Sequence, residues 1–399
     1  MVPNTATGRF IAEKYHTGDF KLVFREKAAA IFVESTGYPG VKRAAYDLQE
    51  DIQRVTGQTP KILDTLEGCG EEYVVIIGTL GKSGIIEDLI AQGKVDAGSI
   101  RGKWEAYLIQ VVPEPVPGVG CGLVIAGSDQ RGTIYGIYNI SEQIGVSPWY
   151  WWADVTPEKK ETLVVKKGVY RQGEPSVKYR GIFLNNEAPS LTRWVQGRYG
   201  GFNSFFYEDI FQLLLRLKGN YLWPAMWSPK NFFRDDPFNL VKAEEYGVVI
   251  GTSYRDPMMR SWGEWSRYGE GEWNFLTNAE AIKKFWADGI ELAKDYEKIV
   301  TIGMHGEGDA PLLADGTMEE KIAVMERIIE EQRKILAEKI DPDLSRVPQF
   351  WAPCKEVQQY YEAGMGIPDD VTILFADDNY GNIRMLPKPE ERDRPGGYG

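Results

Sequence analysis

The sequence predicts an α/β protein: a small α/β N-terminal domain followed by a TIM-type (β/α)8 barrel, of which about six units are present. Three observations carry this. The chain has 399 residues, too many for one ordinary domain. Short apolar, β-branched runs alternate with helical patterns, as crossover helices on a parallel sheet require. Beyond residue 178 the runs are followed by polar and acidic residues, where barrels carry their chemistry.

The domain boundaries fall at 1–170 and 171–399. In the first domain, Val41, Ala44, Ala45, Leu48, Ile52 and Val55 recur at helical spacing and Gly57 stops the helix. The run 73–79 reads as a buried strand, and 83–93 as a helix with Ser83 as N-cap. Two further strands, 104–112 and 121–129, flank a Pro/Gly-rich turn, and 131–145 is a helix. The aromatic run PWYWWADV (148–155) then crosses toward the second domain.

In the second domain the strands are expected at 179–185, 221–227, 248–253, 299–304, 348–353 and 371–376. The clearest helix is 318–340. Ile322, Met325, Ile329, Leu336 and Ile340 form its apolar stripe, and Glu330 with Lys334 an i,i+4 pair on the opposite face. An open doubly wound sheet is the competing architecture.

Composition narrows the function. Hydrophobic content of 43% allows a large core, and no apolar run is long enough to span a membrane. A net charge of −12 disfavours nonspecific nucleic-acid binding. Two histidines (His16, His305) exclude a histidine-rich metal site, and Cys69, Cys121 and Cys354 are too scattered for a disulfide framework. The N-terminus lacks the basic and apolar regions of a secretory signal, so the chain is cytoplasmic, or secreted with its leader removed. Twelve Trp and 21 Tyr fit a cleft that packs pyranose rings on flat aromatic faces, although many will be core.

After successive strands stand Asn185, Asn186 and Glu187; Tyr254, Arg255 and Asp256; His305, Glu307 and Asp309; Lys355 and Glu356; and Asp377, Asp378 and Asn379. Parallel strands in a closed sheet would put these loops on one rim. Several carboxylates around one cleft suit glycoside hydrolysis, which uses one carboxylic acid on the leaving oxygen and a second carboxylate toward water or the sugar. Each acid taken singly also fits a helix N-cap or a solvated loop. Such acids could instead hold Mg²⁺ or Ca²⁺, but no calcium-loop spacing occurs, and GSDQRG (127–132) lacks phosphate-loop spacing.

The stretches 126–155, YRGIFLNNEAP (179–189), 213–227, GTSYRDPMMR (251–260), TIGMHGEGD (301–309), WAPCKEVQQYY (351–361) and FADDNYGNIRMLP (375–387) resemble glycoside hydrolase family 115, the xylan α-1,2-glucuronidases. The resemblance runs over nearly the whole chain. It implies an α/β domain, a (β/α)8 barrel carrying the site, and further C-terminal domains. It also implies inverting, metal- and cofactor-free removal of (4-O-methyl)glucuronic acid from xylan or a related glycan. The partner is thus a glucuronic-acid-bearing polysaccharide or oligosaccharide, and a homodimer of the full-length protein stays open.

By this resemblance, Glu356, Asp377 and Asp309 are the catalytic candidates. Glu187, Asn186, Tyr254, Arg255, Asp256, His305, Lys355, Asp378 and Asn379 are the substrate-binding candidates, with Trp223 either in the pocket lining or in the core. An inverting pair of carboxyls is expected roughly 6.5–9.5 Å apart. The chain departs from the family at Asn186 (in an Asn-Asp-Glu triplet), at Tyr254-Arg255-Asp256 (two histidines and a glutamate) and at His305 (arginine). Arg255 would restore positive charge near the sugar carboxylate, alongside Arg260, His305 and Lys355. A non-catalytic relative that binds acidic glycans is the alternative.

Only six strand–helix units are counted, and a barrel of this type needs eight. The sequence therefore reads as a fragment. Bare edges are expected on the first and sixth strands, with poor solubility as the consequence.

Overall fold

The computed structural model describes residues 4–5, 8–378, 380–391 and 393–399. The chain divides into two compact units. The first comprises Met1–Arg180, Asp209–Asn220 and Glu245–Gly247. The second comprises Gly181–Glu208, Tyr221–Glu244 and Val248–Gly399.

The first unit is built on a seven-stranded mixed sheet. Its order is Asn4–Thr5, Val169–Gln172, Tyr107–Pro113, Cys121–Gly127, Tyr73–Thr79, Ala30–Val33, Ile62–Leu63. Tyr73–Thr79 and Cys121–Gly127 pair in parallel, residue for residue, through the centre of the sheet. Side chains alternate across it. On one face, Val74, Ile76, Leu108, Val124 and Ala126 pack with Ile86 and Leu89 of the helix Gly84–Ala91. On the other, Tyr107 and Ile125 meet Gly136 of the helix Gln130–Ile144, where a Cβ would come within 2.8 Å of Ile125. The helix Pro39–Thr56 packs beside Gln130–Ile144.

The caps follow ordinary chemistry. Ser83 accepts from Ile86 N, Asp129 accepts from Gly132 N, and Gly57 closes the first helix at φ 77°. A small antiparallel sheet (Ile11–Ala12, Leu163–Val165, Phe20–Phe24, Lys27–Ala28) escaped the sequence reading, because its strands are short and two of them lie 140 residues apart in the chain. The strand expected at 104–112 begins only at Tyr107. Glu105 instead takes a left-handed conformation (φ 53°), and its buried carboxylate accepts from Arg131 (2.6 Å), Arg180 (2.5 Å) and Asn220 (2.7 Å).

The second unit contains six parallel strands in sequence order: Gly181–Phe183, Tyr221–Trp223 and Val249–Ile250, then Val300–Thr301, Gln349–Trp351 and Thr372–Ile373. An isolated parallel bridge, Ile250–Lys298, links the two triplets. All six expected strands are present, but each is cut from six or seven residues to two or three, and their C-terminal continuations leave the ladder. The close approach at Tyr221 explains the glycines beside it. A Cβ on Gly181 would meet Tyr221 O at 1.9 Å, and one on Gly251 would meet its hydroxyl at 2.0 Å. The helix Met318–Lys339 opens with a Thr317/Glu320 capping box, buries Met325, Ile329 and Leu336, and carries the Glu330–Lys334 pair at 2.8 Å.

One expectation is corrected here, at the edge of the sixth strand. No closed barrel forms among the described residues; the ladder runs from Gly181–Phe183 to the sixth strand without joining its ends. The edge of that sixth strand is not bare. Tyr398 bridges Ile373 in parallel, with Ile373 N donating to Gly397 O and Gly399 N to Ile373 O. Among the described residues nothing pairs the outer edge of the first strand, where Ile182 and Phe183 are 43% and 40% exposed. Among those residues, too, no helix is long and apolar enough to cross a membrane.

Candidate active site

The loop after Val249–Ile250 is set by Asp256. Its buried carboxylate accepts from Ser253 Oγ (2.7 Å) and from Trp262 N (3.2 Å), fastening both ends of the turn. Burial pushes this carboxyl up to about 6, against the pull of those two donors and of Arg255. The fastened turn carries Tyr254 and Arg255, both half-buried.

The Arg255 guanidinium lies 4.8 Å from the centre of the Trp227 ring and 5.8 Å from that of Tyr254. Trp227 is held in turn by Asn186, whose Nδ2 donates to Trp227 O and whose Oδ1 accepts from Trp227 N, both at 3.0 Å. This reciprocal clamp needs a donor and an acceptor on one side chain. Asparagine supplies both; an ionised aspartate supplies only acceptors. The departure from the resembled family at position 186 therefore has a local structural role in this chain.

His305 follows the fourth strand and is 7% exposed. Its carbonyl accepts from Trp273 Nε1 (2.9 Å), and the Tyr254 ring meets its imidazole edge-on at 5.3 Å. Its Nδ1 stands 3.6 Å from Glu356 Oε1. Glu356 precedes the helix Val357–Glu362, and the left-handed backbone of Lys355 (φ 55°) sets the turn into that helix. The Glu356 side chain is 21% exposed, with Oε1 itself buried. Burial raises its carboxyl, but the His305 contact, its own backbone N–H and the charges of His305 and Lys355 outweigh that, leaving it below the usual glutamate value.

Contacts thus connect five sequence-predicted residues: Asn186, Tyr254, Arg255, His305 and Glu356. Two tryptophans join them that the sequence did not single out. Trp227 read only as the end of a strand, and Trp273 had no signal beyond its composition.

Other candidates are placed differently. Asp256 is buried and committed to its turn. Arg260 is buried against Glu264 (3.1 Å), with its guanidinium 3.9 Å from the Phe285 ring centre. Trp223 stacks on Phe350 (5.2 Å, 17°), meets Phe183 edge-on and donates to Tyr221 Oη (2.6 Å). Glu187 and Lys355 are exposed. Asp377 is exposed, and its backbone bridges Ile383. Asp378 accepts from the backbone and side chain of Asn382, from Arg384 and from Tyr380 N; these donors hold its carboxyl well below the usual range. The Asp309 side chain and Asn379 lie outside the described residues. Among the described residues, no group of three or more His, Cys, Asp or Glu side chains is placed to hold a metal ion.

Residues 172–399 match the family model for glycosyl hydrolase family 115. A solved family GH115 4-O-methyl-α-glucuronidase, with specificity for decorated arabinogalactans, is 38% identical and superposes with a TM-score of 0.85. The match covers 96% of this chain and 49% of that one, so the chain spans about half the length of that relative. A Streptomyces plicatus β-hexosaminidase is 10% identical, with a TM-score of 0.54 over 98% of this chain and 71% of its own. A GH138 enzyme targeting pectin rhamnogalacturonan II is 12% identical, with a TM-score of 0.50 over 87% and 38%. These last two show likeness of fold alone. No curated protein sequence matches the chain.

Proposed function

Because the chain belongs to glycosyl hydrolase family 115, we propose that it removes α-1,2-linked (4-O-methyl)glucuronic acid from a decorated plant polysaccharide by inverting, carboxylate-assisted hydrolysis. The observation that carries this reading is the His305–Glu356 pair, with Arg255 braced on Trp227 beyond Tyr254. Glu356 is one member of the acid/base pair, and Asp377 or Asp309 is the other. The imidazole beside Glu356 favours its ionised form, which suits activation of water. A planar guanidinium fits a sugar carboxylate through two parallel hydrogen bonds, and Arg255 provides it in a protein of net charge −12.

The six parallel strands are, in this reading, an arc of a (β/α)8 barrel whose C-terminal ends carry Asn186, Tyr254, Arg255, His305 and Glu356. The glycan is of the xylan or arabinogalactan type. The specificity of the 38% identical enzyme supports the latter. One observation favours a second reading, a non-catalytic binder of acidic glycans: Asp378 is tied up by Asn382 and Arg384, and Asp377 faces solvent.

The deciding experiment offers glucuronoxylan, decorated arabinogalactan and their acid-bearing oligosaccharides to the protein, and follows released uronic acid by chromatography and its anomeric form by NMR. Release of the β-anomer supports the first reading. Binding without release supports the second.

A further inference from the structure

Beyond Trp227 lies a cavity of about 300 Å³, lined by residues between Ser228 and Asp235 on one side and between Gly263 and Tyr268 on the other. Three of its lining side chains are cationic: Lys230, Arg234 and Arg267. Two acids, Asp235 and Glu264, also line it and offset part of that charge. Glu264 accepts from Arg260 (3.1 Å) and from Ser261 N (2.9 Å), and lies 3.5 Å from Arg234. Asp235 Oδ2 accepts from Asn231 N (2.9 Å). In a protein of net charge −12, three cations against two acids leave a local excess of one positive charge in a concave wall.

Asn231 belongs to the first wall. It is 4% exposed, and its Oδ1 accepts from Phe233 N (2.9 Å), which fixes the orientation of the amide. Arg234 is held over the Tyr268 ring at 4.8 Å, so its guanidinium is partly preorganised. The cavity is also coupled in structure to the candidate active site. Trp227, the brace of Arg255, immediately precedes its first wall, and Asp256 accepts from Trp262 N just before its second. A Cβ on Gly263 would come within 2.9 Å of Ser228 Cβ, so the two walls pack directly against each other.

We propose that this cavity is an oxyanion subsite that takes a second acidic group of the glycan, a carboxylate or a sulfate ester, while the scissile glucuronate occupies the site at Arg255. The inference rests on the glucuronidase reading for the identity of the first sugar. It goes beyond that reading in requiring a polysaccharide with acidic groups on neighbouring residues.

Calorimetry on the 399-residue protein tests it with three oligosaccharides of equal length. One carries a single glucuronate, one carries two, and one carries a glucuronate and a sulfate ester. The two-acid ligands are expected to bind about tenfold more tightly than the single-acid ligand, with the advantage shrinking as salt rises. Arg234→Gln with Arg267→Gln should remove the advantage and leave single-acid affinity within twofold. Arg267→Gln alone, at an exposed position, should remove part of it and guards against loss of folding through the Arg234–Glu264 contact. Whichever two-acid ligand keeps the advantage identifies the source of the oxyanion. Equal binding of all three ligands, or an equal loss for all three in the variants, overturns the proposal. If Arg255→Gln leaves single-acid affinity unchanged, the glucuronidase reading fails instead, and the two-acid advantage still reports on this cavity.

Discussion

His305 Nδ1 and Glu356 Oε1 face each other at 3.6 Å, each on a loop that follows a different parallel strand, 51 residues apart in the chain. The imidazole is buried, and the backbone carbonyl of the same residue accepts from Trp273 Nε1, so Glu356 faces a partner shielded from solvent on an anchored loop. Such a pairing positions a carboxylate and biases it toward the ionised form.

Glu356→Gln should therefore lower kcat by about 10²–10⁴ on a glucuronic-acid-bearing oligosaccharide, the usual contribution of a general acid or base. Its melting temperature should stay close to that of the parent. Steady-state kinetics with a thermal melt checks both, and a variant retaining more than a tenth of the parent kcat removes Glu356 from the chemistry.

Arg255→Gln should act on binding. KM for a uronate substrate is expected to rise roughly tenfold with kcat changed far less, as for loss of one charge-assisted contact. Arg255→Lys should restore little of it, because an ammonium neither stacks on Trp227 nor pairs bidentately. Equal kinetics for the lysine variant and the parent would show that charge alone suffices.

Asp256 predicts a pH signature in stability. Its folded carboxyl is raised to about 6, above the roughly 3.9 of an unfolded aspartate. The folded state therefore binds the proton more tightly. That contribution is fully present below pH ~4 and is lost as pH rises through 6. Asp256→Asn removes the penalty, so the variant should gain on the parent between pH 4 and 7 by up to about 3 kcal/mol. Urea midpoints at both pH values measure the gain; a difference that does not change with pH contradicts it.

In the first unit, Asp51 is buried between Arg216 and Arg54, each at 2.7 Å. Asp51→Ala leaves the buried Arg216 without its carboxylate and should cost about 3–5 kcal/mol. Arg54→Ala should cost no more than about 1 kcal/mol, because that side chain is partly exposed. Chemical denaturation of the two variants reads the difference, and equal losses would show that the network does not depend on the buried partner.

Local chemistry wrote much of this protein legibly. The strand 73–79, the strand read at 121–129 and formed over 121–127, the Ser83 cap, the helix with its Met325–Ile329–Leu336 stripe and the positions of the six parallel strands all follow from periodicity, capping and β-branched runs, which act within a few residues. The loops after those strands were equally visible as the place where polar residues gather. Which of those residues meet was decided by the tertiary structure, since it depends on backbone direction after each strand ends. His305 and Glu356 come together, Asp256 turns inward to fasten its own loop, and Asp378 folds back onto Asn382 and Arg384. The reach of the ladder was decided there too. Strands shortened to two or three residues, and the Tyr398 bridge on the sixth, reflect hydrogen bonds between segments distant in sequence, for which no local pattern carries a signal.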